Sequence, residues 1–567
     1  MRLIFKFSTI LLLLFLTTSC ATFMKRAAVP EPSKEAYYYY ILGIESEIGH
    51  NWEEALKQYM QALKEDPDSA YLKTHIGRLY LRMGNIDNAI LMADNAVNVN
   101  PDYVPALLLR AELYHSQKDF KKAESLYEKI IKLAPDEITA YIYLGTLYAT
   151  NKKFDEAVNI FKKAIAIDSD NILARFYLGN VYVETKRYDE AVAVLEECIA
   201  LGNAPDSVYL LLGSIYKSKG NVDKAIENFQ RAVEINPHNV EVKEKLVEIY
   251  LRQKSQDKAL EQLAGILKQQ PDNLQVHLIT AGIFFDNKQY EKAIEELRIV
   301  INADQQNVTA RYLLGRSLSE INKFDEAIEQ FKILSGIKPQ DVTILMHLAY
   351  LFGKVNKVDD AIKTYENILA VETSKPEVYF YLGASYAQKE DYAKAEEILK
   401  KGLALTPEDE DLNFQLALVY EKTGRYDEMY LQLKNTLRIN PKHVDALNYL
   451  GYTYAEKGIN LEEALELIKK AVELKPESGY ILDSLGWVYF KKGLYEDALR
   501  EIKKAIEFTG KDPVIFEHLG DIYLKMGHKK DALDAWEKSL KLQESNVHFN
   551  KDNELKERVT EKIKNLK

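Results

Sequence analysis

Residues 138–171 read ITAYIYLGTLYATNKKFDEAVNIFKKAIAIDSDN, and residues 308–341, five periods of 34 residues later, read VTARYLLGRSLSEINKFDEAIEQFKILSGIKPQD. With the first residue numbered position 1, both have Leu-Gly at positions 7 and 8, Ala at 20 and Phe at 24. The pattern recurs fifteen times over residues 36–546, with one extra residue between Gly458 and Ala464. The chain of 567 residues is therefore a tandem repeat, not the three or four globular domains that its length suggests.

Each unit is predicted to form two helices. Position 20 is Ala in fourteen of the fifteen units, and position 8 is Gly in ten. Glycine inside a helix costs about 1 kcal/mol relative to alanine, so ten such glycines need a packing reason. We expect the two small positions to let the helix backbones nest, with large residues at positions 11 and 24 filling the space beside them. Nine of the fifteen prolines stand at the end of the second helix, where they mark the unit boundaries.

The composition excludes several classes of protein. Apolar residues make up 47%, charged residues 28%, and the net charge is −11. These values exclude a disordered chain, a polytopic membrane protein and a basic nucleic-acid binder. The two cysteines, Cys20 and Cys198, cannot build a disulfide framework or a four-thiolate zinc site. The position of Cys198 in its repeat predicts a small, buried, apolar side chain.

The first residues have the pattern of an export signal. Arg2 and Lys6 precede an apolar run over residues 10–16 that is too short to span a bilayer comfortably. Cys20 follows small residues and resembles the acylated cysteine of a bacterial lipobox, although Thr17 stands where lipoproteins usually carry Leu. We therefore predict a signal peptide over 1–19 and an acylated Cys20 on a tether over 20–35. The alternative is an ordinary cleaved signal with an incidental cysteine.

The repeat resembles the tetratricopeptide repeat, whose pattern is W-x2-L-G-x2-Y followed by Ala, an aromatic residue, Ala and Pro. The resemblance implies an all-α fold, a right-handed α-solenoid of fifteen helix-turn-helix units. Beyond it, residues 547–567 carry an apolar stripe from Leu555 to Leu566, which predicts a C-terminal capping helix. In this family the concave groove is lined by positions 2, 5, 9 and 12 of each first helix, which we call the groove positions.

Aromatic residues at the groove positions are the candidate partner-binding site. At position 5 the preferred interpretation is packing between units, because apolar residues at helical spacing usually pack. Tyr452, Trp487 and Phe490 belong to adjacent units and are expected to cluster, as the anchor for a peptide or partner helix. The candidate residues are Tyr350, Phe380, Phe414, Tyr452, Tyr480, Trp487 and Phe490.

The sequence contains no phosphate-binding loop, dinucleotide fingerprint, H-E-x-x-H motif or C-x-x-C motif, and its ten histidines are scattered singly. We therefore predict a non-enzymatic protein without metal or cofactor, and without a nucleic-acid or small-molecule ligand. Its expected partners are proteins of the cell envelope, and its lipid would hold it in the membrane.

The stretch from Asn448 to Trp487 resembles outer-membrane tetratricopeptide lipoproteins. Some of these are adaptors for periplasmic proteases that control peptidoglycan hydrolases. The resemblance implies an envelope scaffold that recruits a periplasmic protease or cell-wall enzyme. It also implies a location at the bacterial outer membrane, facing the periplasm, which agrees with Ala21 after Cys20. The alternative is a structural assembly component of a secretion, pilus or exopolysaccharide export machine.

Overall fold

The structure, a computed structural model, describes residues 33–545 and 553–566. The predicted signal peptide, Cys20 and the tether up to residue 32 lie outside the described residues. The described part contains thirty-one α-helices and no strand. None of these helices has the length and apolar character needed to cross a membrane. Two compact units divide the chain, one ending at Gln269 and the other beginning at Gln270.

The helices of the first unit are α1 Lys34–Ile48, α2 Trp52–Glu65, α3 Ala70–Arg82, α4 Ile86–Val99, α5 Val104–Ser116, α6 Phe120–Leu133, α7 Ile138–Thr150, α8 Phe154–Ile167, α9 Ile172–Glu184, α10 Tyr188–Ala200, α11 Asp206–Ser218, α12 Val222–Ile235, α13 Val240–Arg252 and α14 Gln256–Leu267. Those of the second unit are α15 Leu274–Asp286, α16 Tyr290–Ala303, α17 Val308–Glu320, α18 Phe324–Ile337, α19 Val342–Lys354, α20 Val358–Val371, α21 Pro376–Gln388, α22 Tyr392–Leu405, α23 Glu410–Lys422, α24 Tyr426–Ile439, α25 Val444–Lys457, α26 Leu461–Leu474, α27 Gly479–Lys491, α28 Tyr495–Thr509, α29 Pro513–Lys525, α30 Lys529–Ser545 and α31 Asn553–Leu566.

The first thirty helices form fifteen pairs, one pair for each sequence repeat, and within each compact unit successive pairs pack against one another as in an α-solenoid. The first pair begins at Lys34, two residues before the predicted start, because the Ser33 hydroxyl accepts a hydrogen bond from the Ala36 amide and caps the helix. Prolines near the unit junctions fit the helices, since Pro105, Pro376 and Pro513 occupy the first helical turn, where no amide hydrogen is needed.

A left-handed residue at position 15 joins the two helices in every unit. Six units have glycine there, as at Gly424 with φ +72°, and nine have a residue with a side chain, as at Glu390 with φ +64°. The extra residue of the sequence is absorbed at this turn between α25 and α26. There both Gly458 (φ +69°) and Asn460 (φ +47°) adopt left-handed backbone conformations.

The glycines at position 8 make room for a large side chain at position 24 and, in some units, for the predicted close approach of the second helix: a Cβ atom on Gly451 would lie 3.0 Å from the carbonyl oxygen of Ala464 at position 20. A Cβ atom on Gly315 would lie 2.7 Å from the Phe331 ring, which occupies position 24 of the same unit. Where position 24 is small, as at Ala93, the space beside Gly77 is filled by Leu109 of the next unit. In most units the large side chain at position 24, aromatic or aliphatic, therefore sets the requirement for glycine.

Cys198 is a buried packing residue, as predicted. Its side chain is fully buried, and its sulfur lies 3.5 Å from the Val194 carbonyl oxygen. Burial raises the pKa of the thiol to about 11, which keeps it protonated at neutral pH.

The last helix, α31, covers the end of the second unit. Leu555 and Val559 are buried against Trp536 of α30. Two cations of the same helix reach α29: both Arg558 Nε and Nη2 donate to the Glu517 carboxylate at 2.7 Å, and Lys562 Nζ donates to it at 2.7 Å. The helix is thus fixed by an apolar contact and by charge-assisted hydrogen bonds.

Candidate functional site

Stacked ring pairs recur at several junctions, between a first helix and the unit before it. The ring at position 6 of one unit lies on the ring at position 24 of the preceding unit. Examples are Tyr143 on Tyr127, with centroids 5.7 Å apart, and Tyr381 on Tyr365 at 5.9 Å. The sequence reading missed position 6, although aromatic residues recur there at multiples of 34 residues. The signal becomes clear only once position 24 of one unit is known to face position 6 of the next.

Four of the predicted site residues are half-buried, and two are exposed. Tyr350 is 43% exposed and Tyr480 is 60% exposed, so these rings are available to a partner. Phe380 packs edge-on against Tyr381, with centroids 5.2 Å apart. Phe414 lies 5.0 Å from the His443 ring.

Trp487 has the most enclosed environment of the candidates. It is only 7% exposed, because its indole is stacked on Phe490 at 4.8 Å and on His518 at 4.1 Å. Its Nε1–H donates to Glu456 Oε2 at 2.7 Å. The ring therefore belongs to the packing of units that follow one another, and its role as a binding residue stays a prediction.

The structure brings Trp487 and Phe490 together, as expected, and places Tyr452 beside their polar neighbours. Burial, and then the carboxylates of Glu456 and Asp483, raise the pKa of Tyr452. The Glu456 carboxylate that contributes to the raised pKa of Tyr452 also accepts the hydrogen bond from the Trp487 indole.

In the described ranges, Tyr350, Phe380 and Phe414 make no ring contact with one another or with Trp487. These three residues are thus separate points along the groove positions, apart from the Trp487–Phe490 pair.

A tyrosine cluster in the first two units was also missed. Tyr40 and Tyr71 are hydrogen-bonded through their hydroxyls, and Tyr71 stacks on His75 with centroids 5.8 Å apart. Tyr37 and Tyr71 are exposed. The run of four tyrosines at residues 37–40 was the available signal in the sequence.

Two cavities lie at equivalent places in the repeat. One, of about 560 Å³, is between α7 and α9, and the other, of about 320 Å³, is between α17 and α19. Each has the position-24 phenylalanine in its wall, Phe161 in the first and Phe331 in the second. Cavities of this size accept a side chain or a short part of an extended segment.

Within the part of the chain that the structure describes, no group of three or more His, Cys, Asp or Glu side chains is placed to hold a metal ion. The polar and aromatic groups at the groove positions offer stacking, hydrogen bonding and charge pairing. These are the means of binding another protein.

Comparison with known proteins identifies the repeat. Tetratricopeptide repeat models match residues 257–308, 414–479 and 515–546. The model of the C-terminal domain of cilia and flagella-associated protein 70 matches residues 70–276, and that of the Psidin N-terminal TPR repeats region matches residues 283–405.

Similar proteins match over parts of their length. A TPR repeat-containing protein of Pseudomonas aeruginosa is 48% identical over 52 residues, which are 9% of this chain and 9% of that protein. The photosystem I assembly protein Ycf3 of Rippkaea orientalis is 32% identical over 108 residues, 17% of this chain and 62% of Ycf3. The chain thus spans less than two thirds of either relative.

Among solved structures, a chain of the APC/C hetero-tetramer Cut9–Hcn1 is 15% identical, with a TM-score of 0.33, over 93% of this chain and 96% of that one. The family models and the repeat-containing relative agree with the 34-residue period and the paired helices. The chain belongs to the tetratricopeptide repeat superfamily.

Proposed function

We propose that this protein is a non-enzymatic scaffold of the bacterial cell envelope, which recruits a periplasmic protease or a cell-wall enzyme through its groove positions. Tetratricopeptide repeats bind protein partners, and that general character supports the proposal. The observation that carries it is the line of partly exposed rings at the groove positions, of which Tyr350 and Tyr480 are the most accessible of the predicted set.

The proposed mechanism has two parts. A lipid on Cys20 would hold the scaffold at the inner face of the outer membrane, and the groove positions would hold the partner. A tethered partner is present near its substrate at a higher effective concentration than a free one. No chemistry by the scaffold itself is needed for this effect.

A role in assembling an export machine is the second candidate. The observation that favours it is the similarity to Ycf3, which is named as an assembly protein for photosystem I. In this chain the corresponding role would be the assembly of a secretion, pilus or exopolysaccharide export machine.

Affinity purification of the full chain from detergent-solubilised envelopes tests both candidates. The wild type is compared with Tyr350→Ser/Tyr480→Ser, which removes two exposed groove rings. The matched control is Ile333→Ser/Leu474→Ser, which removes two exposed apolar side chains from second helices.

We expect the wild type and the control to recover a protease or peptidoglycan hydrolase that the groove variant loses. Recovery of a secretin or a polysaccharide channel, with no protease or hydrolase, would favour the export machine and overturn the adaptor proposal. Equal recovery by all three proteins would overturn the role of the groove.

Fractionation tests the anchor separately. Cys20→Ala is expected to leave an exported but soluble protein, because the mature body carries a net negative charge that does not favour anionic membrane surfaces. Unchanged membrane association of this variant would refute the lipid anchor while leaving the groove proposal standing.

A further inference from the structure

An arginine at the groove face is held in place without an acidic partner. The guanidinium of Arg316 lies 4.7 Å from the centroid of the Phe285 ring and 6.0 Å from that of Tyr312. Among residues 33–545 and 553–566, no carboxylate comes within 4.0 Å of it, and its side chain donates no hydrogen bond. The cation–π contact holds the guanidinium near the Phe285 ring, and its N–H donors stay available because none of them is used in a hydrogen bond within the described residues.

A second cation shares the same cavity. The Lys354 ammonium lies 5.2 Å from the Tyr350 ring centroid, and it too has no carboxylate within ion-pair distance in the described ranges. Both side chains line the cavity of about 320 Å³ between α17 and α19. Burial, and then the charge of Arg316, lower the pKa of His347 in its wall, so this ring is neutral at pH 7. Glu320 is the single carboxylate among the lining residues, which leaves one net positive charge.

The equivalent cavity between α7 and α9 shows that the repeat does not require these charges. Five repeats earlier, Thr146 stands where Arg316 stands, and Glu184 stands where Lys354 stands. The positive charge is therefore not a requirement of the repeat, since a neutral and an acidic residue at these two positions are compatible with the same helical packing.

We propose that the Arg316–Lys354 cavity binds a side-chain carboxylate, Asp or Glu, of an extended acidic segment of the partner protein. The planar guanidinium matches a carboxylate with two parallel hydrogen bonds, and the Tyr350 ring offers an apolar surface to the neighbouring residue. One net positive charge balances a monoanion, whereas a phosphate dianion would leave the cavity with one net negative charge. This inference rests on the proposed binding of a protein partner at the groove positions.

The test uses the full chain and a phage-displayed library of random dodecapeptides. The variant is Arg316→Thr/Lys354→Glu, which installs the residues found in the equivalent cavity and should therefore fold. The control, Arg298→Thr/Lys338→Glu, makes the same change of charge at exposed positions outside the cavity. Circular dichroism checks that all three proteins have the same helicity.

We expect the wild type and the control to enrich peptides that contain Asp or Glu, and the cavity variant not to enrich them. A selected peptide resynthesised with Gln for its Glu should bind the wild type about tenfold more weakly and the cavity variant no differently, as for a lost charge-assisted pair. Peptides selected without acidic residues, or equally by all three proteins, would overturn the carboxylate assignment but not the groove. Tighter binding of a phosphoserine version would assign the cavity to phosphate instead. If the wild type enriches no peptide, the binding of extended segments at the groove itself is refuted.

Discussion

At the scale of single residues, the space around a helical glycine decides whether it can be replaced. Gly315, at position 8, has no room for a Cβ because of the Phe331 ring at 2.7 Å, whereas Gly282, at position 9 of the preceding unit, has no atom outside its own helix backbone within 4 Å of its Cβ position. We expect Gly315→Ala to destabilise its helix pair by about 1–3 kcal/mol through overpacking. Gly282→Ala should stabilise its pair by up to about 1 kcal/mol through helix propensity. Hydrogen exchange of the amides of α15 to α18 measures both, and equal effects would contradict the packing argument.

Trp487 is expected to act as a structural residue whatever else it does. Its ring is enclosed by Phe490 and His518 and hydrogen-bonded to Glu456. Trp487→Ala should therefore destabilise α27 and its neighbours by about 3–5 kcal/mol. Tyr480→Ala, at an exposed site on the same helix, should change stability by no more than about 0.5 kcal/mol. Thermal unfolding followed by circular dichroism compares them, and an unaltered melting curve for Trp487→Ala would show that the indole is not part of the packing.

A buried histidine makes the same region sensitive to pH. Burial of His518 opposes its charge, but Asp483, 2.8 Å from Nδ1, outweighs this effect and raises the pKa of the ring. Because the pKa of His518 in the folded state lies above the unfolded value of about 6.5, its protonation stabilises the fold. This stabilisation is complete below about pH 6.5 and is lost as the pH rises through the folded-state pKa. In urea unfolding, the difference in free energy of unfolding between the wild type and Asp483→Asn should thus shrink as the pH is raised from 6 to 9. An advantage that grows with pH would contradict this pairing.

At the scale of elements, the turn at position 15 is expected to favour glycine. Glu390 adopts φ +64°, a region that costs a residue with a side chain roughly 1–2 kcal/mol. Glu390→Gly should stabilise the pair α21–α22 by about 0.5–1 kcal/mol, since part of the gain is offset by the greater freedom of glycine in the unfolded chain. In the next unit, Gly424→Ala should destabilise its helix pair, because the alanine would have to adopt the same left-handed conformation. Local hydrogen exchange is the measurement, and a loss of stability in Glu390→Gly would contradict the backbone argument.

The attachment of α31 depends on Glu517, which is 2% exposed. Burial opposes ionisation of this carboxyl, but the hydrogen bonds from Arg558 and Lys562 outweigh it and lower its pKa. Its contribution to stability is therefore present above the unfolded value of about 4.3 and lost as pH falls through the folded pKa. Arg558→Ala/Lys562→Ala leaves a buried charge without these two cations and should destabilise the docked helix by about 3–5 kcal/mol at pH 7. Proteolysis within residues 553–566 should accelerate, and an unchanged rate would contradict the clamp.

At the scale of the whole molecule, the sequence predicts the repeat well and the site less well. The period, the helix pairs and the buried Cys198 follow from positions within one unit, because the same local pattern is read fifteen times. The enclosure of Trp487 depends on His518 and Glu456 from the units on either side, which a pattern within one unit does not show. The pairing of Arg316 with an aromatic ring instead of a carboxylate likewise needs the structure, since the sequence offers many nearby acidic residues.

The central claim is that the groove positions of this scaffold hold an envelope enzyme, and crosslinking at a single groove residue in the native host tests it most directly. A photoreactive phenylalanine replaces Tyr350 in one strain and the exposed Ile333 of α18 in another. We predict an adduct with a protease or cell-wall hydrolase from position 350 and none from position 333. Identical adducts from both positions, or no adduct from position 350 in a folded protein, would contradict the account.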